Sequence, residues 1–163
     1  MPTNATAHLY SPIGLMTITG SDVGLHAVRF SEGPDAPTAL AAVPACLRPA
    51  REQLAAYFGR ELRDFDLTCA PVTGTDFQRR VWGALASVGH GRTVSYLHVA
   101  KLLGNSRAVW AVGAANGQNP IAIVCPCHRV IGADGRLTGY AGGLVRKRWL
   151  LAFEQPQQGG LFG

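Results

Sequence analysis

A short stretch in the second half of the chain guides the interpretation of the whole sequence: Ile123-Val124-Cys125-Pro126-Cys127-His128-Arg129-Val130. The apolar residues at its start predict a strand that delivers Cys127 to the interior of the fold. The thiolate is the reactive form of cysteine, and a free thiol has a pKa of roughly 8.5. A histidine that accepts the proton would therefore activate Cys127. The pattern alone leaves two interpretations open, a nucleophilic cysteine and a buried cysteine packed beside a histidine.

Length and composition indicate one domain, or two small domains, with a hydrophobic core. The chain has 163 residues, of which 47% are hydrophobic and 15% are charged, and this composition argues against a disordered protein. The net charge is +5 and the isoelectric point is about 9.4. Such a balance suits an anionic partner such as nucleic acid, although many soluble proteins reach it without one.

Targeting signals and cysteine usage predict a cytoplasmic protein. The first eight residues lack the basic region and apolar run of a signal peptide, and no apolar stretch approaches the ~18 residues of a membrane span. We therefore expect no membrane association and a reducing environment. No Cys-x-x-Cys pair occurs, so we predict no metal site, and a local metal clip at Cys125 and Cys127 is a weaker alternative. The two further cysteines are Cys46 and Cys69.

The first 70 residues are predicted to form an α/β domain that serves as a scaffold. Alternating segments at 7–10, 15–19 and 24–30 predict strands, and a further strand is predicted at 65–67. A helix is expected over 49–58, with Leu54, Ala55 and Phe58 on its apolar stripe. No polar cluster in this half indicates chemistry.

A change in composition marks residues 71–74 as a linker before a mostly helical domain at 75–163. Thr75 or Asp76 can cap a helix whose apolar stripe is Phe77, Val81, Trp82, Leu85 and Ala86. Ser95 can cap a second helix, and a turn at 104–106 separates it from a third over 107–116, which is a helix-turn-helix pattern. A basic helix over 144–154 should place Arg146, Lys147 and Arg148 on one side, with Trp149, Leu150 and Phe153 packing. Residues 155–163 are expected to form a loose tail.

The third of these helices is built almost entirely of small residues. A helix that reads bases in the major groove normally carries Arg, Asn, Gln or Ser on its exposed face. Small residues instead let the backbone approach another surface closely, and that surface is either a neighbouring helix or a narrow minor groove. The Gly-rich segment 138–143 lacks the spacing of a phosphate-binding loop, so nucleotide binding is not predicted.

Several of these motifs together resemble the O6-alkylguanine-DNA alkyltransferases. The resemblance rests on Pro126-Cys127-His128-Arg129-Val130 with Asn119-Pro120 before it and with Tyr140-x-Gly142-Gly143 and Leu150-Leu151-x-x-Glu154 after it. Ser11-Pro12-Ile13-Gly14 and Gly74-Thr75-x-Phe77-x-x-x-Val81-Trp82 match the bacterial members. It implies an N-terminal ribonuclease-H-like domain and a C-terminal domain with the helix-turn-helix and the active site. It also implies irreversible, single-turnover transfer of an alkyl group from O6 of guanine to a protein cysteine without a cofactor, and leaves open whether O4 of thymine is also a substrate.

The resemblance assigns roles residue by residue. Cys127 is the expected acceptor, His128 takes its proton through a water, and Glu154 orients the histidine. Tyr96 is expected to hydrogen-bond the departing base, and Asn119 to tie the recognition helix to the active-site segment. The expected pocket residues are Tyr96, Val130, Tyr140, Ala141 and Gly142. Ala141 and Ala122 replace a serine and a proline of some relatives, which alters the predicted pocket shape.

DNA is the expected partner, as a duplex bound through the minor groove with the target nucleotide flipped out. The expected DNA-binding residues lie in and just before the recognition helix: Arg107, Ala108, Trp110, Ala111, Gly113 and Ala114. We expect a monomer, and cooperative binding along DNA is left open.

The sequence departs from the family at the residue before Ala111-Val112-Gly113. The family carries an arginine there, a finger that holds the space left by the flipped nucleotide, and this chain carries Trp110. Three alternatives follow: Trp110 acts as a stacking wedge, it folds back onto the protein, or the protein acts on free or single-stranded alkylated bases. We expect repair that is retained but impaired in base flipping. The main rival function is a damage-sensing DNA-binding protein of the alkyltransferase-like type, and a transcriptional regulator is disfavoured by the recognition helix.

Overall fold

The N-terminal part is a three-stranded antiparallel sheet in the order β1-β2-β3, as the alternating pattern predicted. The computed structural model describes residues 4–156, so the predicted tail falls outside the described residues from 157 onward. The strands are β1 (Ala5–Ser11), β2 (Gly14–Ser21) and β3 (Gly24–Phe30). Every second residue of β1 and β2 turns its side chain to the core, including Leu9, Met16 and Ile18. The α/β class is confirmed.

Helix α1 (Arg48–Phe58) covers this sheet, and two short 3-10 turns at Leu40–Ala42 and Ala45–Leu47 lead into it. Its buried residues are Ala50, Leu54 and Tyr57. The predicted stripe omitted Tyr57 and was wrong for Ala55, which is only half-buried, whereas Phe58 packs against the core as predicted. The physical reason is that Tyr57 has a buried partner for its hydroxyl, so an amphipathic side chain can occupy the core position.

The outer edge of β3 binds two segments of the chain rather than one further strand. Leu25 N–H donates to Thr68 O at 2.8 Å, and Ala70 N–H donates to Leu25 O at 2.8 Å. Three residues along, Val28 N–H donates to Pro120 O at 2.9 Å. The predicted strand at 65–67 was wrong, because this edge is shared and each segment forms only one isolated bridge.

The C-terminal part contains α2 (Asp76–Leu85), α3 (Tyr96–Leu102), α4 (Val109–Gly117) and α5 (Leu144–Glu154). Thr75 and Gln78 form a capping box at the start of α2, and Ser95 caps α3 by accepting from His98 N–H. The helix-turn-helix of α3 and α4 is confirmed. The predicted stripe of α2 was wrong for Ala86, which is exposed and lies just beyond the helix.

Helix α4 begins two residues later than predicted. Arg107 N–H donates to Asn105 Oδ1 at 3.1 Å, and Ala108 N–H donates to Asn105 O at 3.0 Å. An asparagine that bonds the backbone ahead of it favours a turn over a helix. Arg107 therefore lies in the turn, and Ala108 is the residue just before the helix.

The segment before Cys127 was predicted as a strand, and this was wrong. Residues 122–124 form a turn, in which Cys125 N–H donates to Ile121 O at 3.0 Å. Ile123 has a φ of 70°, a left-handed conformation that β-branched residues rarely adopt. Its side chain is fully buried, so burial of the isoleucine offsets the cost of the backbone conformation. Cys125 and Cys127 consequently do not lie on one extended segment.

A two-stranded parallel sheet connects the start of α3 with the end of the motif that contains Cys127. It pairs β4 (Val94–Ser95) with β5 (Val130–Ile131). Between the turn and β5, Cys127–Arg129 form one turn of 3-10 helix. The cysteine motif is thus held at its front by β3 and at its back by β4.

Helix α5 has the predicted bounds but not the predicted faces. Lys147 is fully buried, whereas Arg148 is exposed and Arg146 is half-buried. The prediction that the three cations share one side was wrong. Consecutive helical residues are about 100° apart, so three adjacent cations cannot share one face.

The capping box gives a direct test of how α2 is anchored. Replacing Thr75 by alanine should lower the free energy of unfolding by about 1 kcal/mol, because the N–H of Gln78 loses its acceptor. Urea unfolding checks this expectation. Thr73→Ala, an exposed threonine without a capping role, is the matched control, and equal effects of the two substitutions would contradict the role of the cap.

Candidate active site

The thiol of Cys127 is buried at a cavity formed by both halves of the chain. Cys127 follows Pro126 at the start of the 3-10 turn and is 3% exposed. The cavity has a volume of about 220 Å³. Its lining residues are Val28, Arg29, Phe30, Glu32, Asn119, Ala122, Cys127, Tyr140, Ala141 and Gly142.

Four of these residues come from the N-terminal part, at the end of β3 and just after it. The half that the sequence predicted as a scaffold thus also forms part of the cavity wall. No polar cluster in the sequence revealed this contribution, because the wall is formed by a strand end that only the tertiary fold brings to Cys127.

Asn119 holds the turn that leads to the cysteine. Its side-chain Nδ2 donates to Cys125 O at 2.9 Å, and its Oδ1 accepts from Ile121 N–H at 3.0 Å. The direct contact from within the recognition helix comes from Asn116, whose Nδ2 donates to Cys127 O at 3.2 Å. Sequence reasoning missed Asn116. Its position next to Ala115, on the buried side of a helix of small residues, was the available signal.

Glu154 binds His128 in the interior. His128 Nε2 lies 2.8 Å from Glu154 Oε2, and both side chains are buried. Arg129 adds two hydrogen bonds to the same carboxylate, from Nε to Oε1 at 2.8 Å and from Nη2 to Oε2 at 2.9 Å. Although burial raises the pKa of Glu154, the hydrogen bonds from His128 and Arg129 hold it well below its usual range.

Tyr57 of α1 is a further partner of Glu154 that sequence reasoning missed. Its hydroxyl donates to Glu154 Oε2 at 2.7 Å in the interior. Burial raises the pKa of Tyr57 far above its usual range, and the charge of Glu154 adds to the effect. The phenol therefore stays protonated and remains a hydrogen-bond donor.

Cys127 and His128 are both uncharged at rest. Burial raises the pKa of the Cys127 thiol, and this effect is only partly opposed by a hydrogen bond from Asn119 and the charge of Lys147. Burial lowers the pKa of His128, against the opposing effect of Glu154. Within residues 4–156, His128 Nδ1 is buried without a hydrogen-bond partner. A neutral imidazole with an unoccupied nitrogen can accept a proton when the thiol reacts.

Lys147 is a buried cation whose charge acts on Cys127. Its Nζ donates to Val130 O at 2.7 Å and to Thr138 O at 2.7 Å. It lowers the pKa of Cys127 through its charge. Lys147 thus fixes the loop 138–143 against β5 and also favours the thiolate.

The predicted pocket residues divide into two groups. Tyr140, Ala141 and Gly142 line the cavity. Val130 does not line it, because its side chain is fully buried in β5. Tyr96 also lies outside the cavity lining, and its hydroxyl lies 2.5 Å from Thr138 Oγ1.

Helix α4 presents a nearly bare surface from which one large side chain projects. Trp110 is 91% exposed, so of the three alternatives the one in which it folds back onto the protein does not fit the structure. Arg107, Ala111 and Ala114 are exposed with it. Ala108 and Gly113 are partly covered, and a Cβ on Gly113 would lie 3.8 Å from Tyr96 Cδ1.

The structure adds little on metals and membranes. The four cysteines are free thiols. Among residues 4–156, no group of three or more His, Cys, Asp or Glu side chains could hold a metal ion. No helix in that same range is long and apolar enough to cross a membrane.

Comparisons with known proteins agree with this geometry. The family described as 6-O-methylguanine DNA methyltransferase, DNA binding domain, matches residues 76–156. A methylated-DNA–protein-cysteine methyltransferase of Mycolicibacterium paratuberculosis is 50% identical over 147 residues, covering 89% of this chain and 88% of that protein. One from Methanosarcina acetivorans is 48% identical, covering 88% and 94%.

Solved structures agree as well. The O6-methylguanine methyltransferase of Mycobacterium tuberculosis matches with a TM-score of 0.81 at 43% identity, covering 99% of this chain and 100% of that one. The Mycobacterium tuberculosis OGT in complex with DNA matches with a TM-score of 0.80 at 46% identity, covering 91% and 92%.

Fold and site together define a helix-turn-helix protein with a buried cysteine, next in sequence to a buried histidine that contacts Glu154. The chain belongs to the family of methylated-DNA–protein-cysteine methyltransferases, which act in DNA repair. The arrangement of an N-terminal sheet and a C-terminal helical part is shared with the Mycobacterium tuberculosis structures.

The contact between Tyr57 and Glu154 predicts a pH-dependent contribution to stability. Tyr57→Phe should lower the free energy of unfolding by about 1.5–3 kcal/mol at neutral pH, because a hydrogen bond to a charged group is lost. The folded-state pKa of Glu154 lies below its unfolded value of 4.5. The stabilisation by ionised Glu154 is therefore complete above pH 4.5 and is lost as the pH falls through the folded-state pKa.

The difference between the wild type and Tyr57→Phe should accordingly shrink in acid. Urea unfolding at a series of pH values measures it. Tyr10→Phe, at a tyrosine that is 66% exposed, should leave stability unchanged at every pH. A Tyr57→Phe effect that does not vary with pH would contradict the assignment of the bond to the carboxylate.

Proposed function

We propose that this chain repairs duplex DNA by moving an alkyl group from O6 of guanine to the sulfur of Cys127. The observation that carries the proposal is a buried thiol at a cavity, with the neighbouring residue His128 buried and 2.8 Å from Glu154 Oε2. The cavity is walled by Tyr140, Ala141 and Gly142.

The reaction is a displacement at the alkyl carbon. As the new carbon–sulfur bond forms, the bond from carbon to O6 breaks and its electron pair stays with the guanine. The thiol proton passes to His128 through a bridging water, and Glu154 stabilises the imidazolium that results. Because both groups start neutral, the proton moves during the attack and not before it. The positive charge of Lys147 stabilises the negative charge that develops on the sulfur.

Tyr96 assists the departing base from outside the cavity lining. Either its hydroxyl or that of Thr138 can be the donor in their shared bond. When Thr138 donates, the Tyr96 proton is available to the guanine. The product of the transfer is a thioether at Cys127. Because a thioether has no simple leaving group, the thiol is not regenerated and each molecule acts once.

DNA reaches the site through α4 in this proposal. Its bare face, with Ala111 and Ala114 exposed, allows the helix backbone to approach a minor groove. Arg107 in the preceding turn is exposed and is proposed to contact phosphates, and the net charge of +5 favours the association. The target nucleotide must leave the duplex, because the Cys127 thiol is buried.

The proposal is tested by the intact mass of the protein after incubation with a duplex oligonucleotide that contains O6-methylguanine. The wild type should gain the mass of one methylene unit, since a methyl replaces the thiol hydrogen. Cys127→Ser should gain nothing, and Cys125→Ser should gain as much as the wild type. DNA binding without any mass gain in the wild type would contradict transfer and support the damage-sensing function instead.

Trp110 is proposed to act as a stacking wedge that opens the duplex less well than an arginine. Its 91% exposure allows insertion between base steps. A tryptophan lacks the positive charge and most of the hydrogen-bond donors that would hold the orphaned base and the phosphates.

Replacing Trp110 by arginine should therefore speed single-turnover transfer from duplex DNA. A regained charge-assisted hydrogen bond contributes about 1.5 kcal/mol or more, which corresponds to about tenfold in rate. Transfer from single-stranded DNA should not change, because no flipping is needed. Val72→Arg, at an exposed apolar residue away from α4, controls for the added charge. An unchanged duplex rate in Trp110→Arg would refute the impairment.

A further inference from the structure

Arg146 joins three segments around the Cys127 cavity. It lies in the first turn of α5, and its Nε donates to Ile13 O in the β1–β2 turn at 2.8 Å. Its Nη1 donates to Gly142 O at 3.1 Å. Its guanidinium lies over the ring of Phe30, with 4.4 Å from the carbon Cζ to the ring centroid. One side chain thus contacts the N-terminal sheet, the end of β3 and the loop before α5.

Two of these contacts are with residues that line the cavity. Phe30 and Gly142 both belong to its wall, and so does Glu32, whose Oε1 lies 3.5 Å from Arg146 Nη1. A cation over the face of an aromatic ring stabilises the pair by about 0.5–2 kcal/mol. Arg146 therefore holds the wall of the cavity without lining it.

The wall has little room to rearrange at this point. A Cβ on Gly142 would lie 2.8 Å from Tyr140 Cε2 and 2.9 Å from Phe30 Cδ2, so the two rings close around the bare glycine. On the other side of the guanidinium, a Cβ on Gly14 would lie 2.9 Å from Arg146 Nη2. Both glycines permit a close fit that any side chain would open.

We propose that Arg146 is a positioning residue that limits the size of the alkyl group, by holding Phe30 and Gly142 as a rigid wall of the Cys127 cavity. The inference rests on the proposed function of alkyl transfer. A rigid pocket separates substrates that differ by one methylene by about 10-fold to 200-fold, and a pocket that can widen does not. The wall therefore decides between methyl and longer alkyl chains.

The role requires the shape of arginine as well as its charge. Arg146 donates from two different nitrogens to two carbonyl groups while its plane stacks on Phe30. Lysine has a single ammonium group and no plane, so it can keep the ion pair with Glu32 but not the whole set of contacts. Arg146→Lys should consequently loosen the wall relative to the wild type, but less than Arg146→Gln does.

A purely structural role for Arg146 makes a different prediction. If the residue only fastened the N-terminal sheet to α5, its loss would lower stability and slow the transfer of all alkyl groups alike. The ratio of the rates for two alkyl groups would then stay constant. This ratio is the readout that separates the two roles.

The experiment compares single-turnover transfer from duplex oligonucleotides that carry O6-methylguanine or O6-butylguanine. In Phe30→Ala, where the wall itself is removed, the ratio of butyl to methyl rates should rise about 10-fold or more. Arg146→Gln should raise it in the same direction, and Arg146→Lys should fall between Arg146→Gln and the wild type. Arg148→Gln, an exposed arginine of the same helix, is the matched control and should keep the wild-type ratio.

Two results would overturn the inference without touching the proposed function. In the first, the wild type transfers methyl groups and Arg146→Gln keeps the wild-type ratio of butyl to methyl rates. This result would show that Arg146 does not position the wall. A wild-type ratio in Phe30→Ala shows that the wall does not select by size. If thermal unfolding shows that Arg146→Gln does not fold, Arg146→Lys decides by the same ratio. Absence of transfer by the wild type from either substrate overturns the proposed function and this inference together.

Discussion

The carboxylate of Glu154 is the group on which the arrangement of the site depends. A buried charge is costly unless it is paired and hydrogen-bonded, and Glu154 meets this requirement with partners from distant parts of the chain. His128 and Arg129 come from the 3-10 turn, and Tyr57 comes from α1. Because all three converge on two oxygens, the end of α5, the cysteine turn and the N-terminal helix have fixed relative positions. Arg129 also donates to Val88 O at 2.7 Å, which extends the network to the segment after α2.

The protonation state of Cys127 follows from its position in the buried interior beside this network. A catalytic cysteine that rested as a thiolate would need a strong positive environment, whereas here burial keeps the thiol protonated and the imidazole neutral. In the proposed function, such a thiol is protected from solvent and reacts when a base presents an alkyl group. For a protein that acts once per molecule, this protection would preserve its single turnover. The ammonium of the buried Lys147 donates to backbone carbonyl groups and would stabilise the charge of the reacting thiolate.

The N-terminal part has more than a supporting role. Its strand β3 binds the segment before the cysteine turn through Val28 and lines the cavity with its final residues. Its helix α1 supplies Tyr57 to Glu154. Through Arg146, the same sheet contacts the loop that carries Tyr140. The C-terminal motifs that resemble the family therefore contain the candidate reacting groups. The shape of the cavity depends on residues from both halves of the chain.

The sequence by itself predicted the candidate reacting groups and determined most of the regular elements. Capping residues such as Ser95 and the period of the apolar residues are local signals, and they predicted the helix-turn-helix and the bounds of α5. The motif around Cys127 carried the family. Local signals could not show that Ile123 takes a left-handed turn, because burial of its side chain outweighs its backbone preference. Nor could they show that Lys147 and Tyr57 are buried, since a long polar side chain in an amphipathic pattern is normally assigned to the surface. Only the tertiary structure decided these points, because each depends on a buried partner supplied by a distant segment, such as the carbonyl of Val130 for Lys147 and the carboxylate of Glu154 for Tyr57.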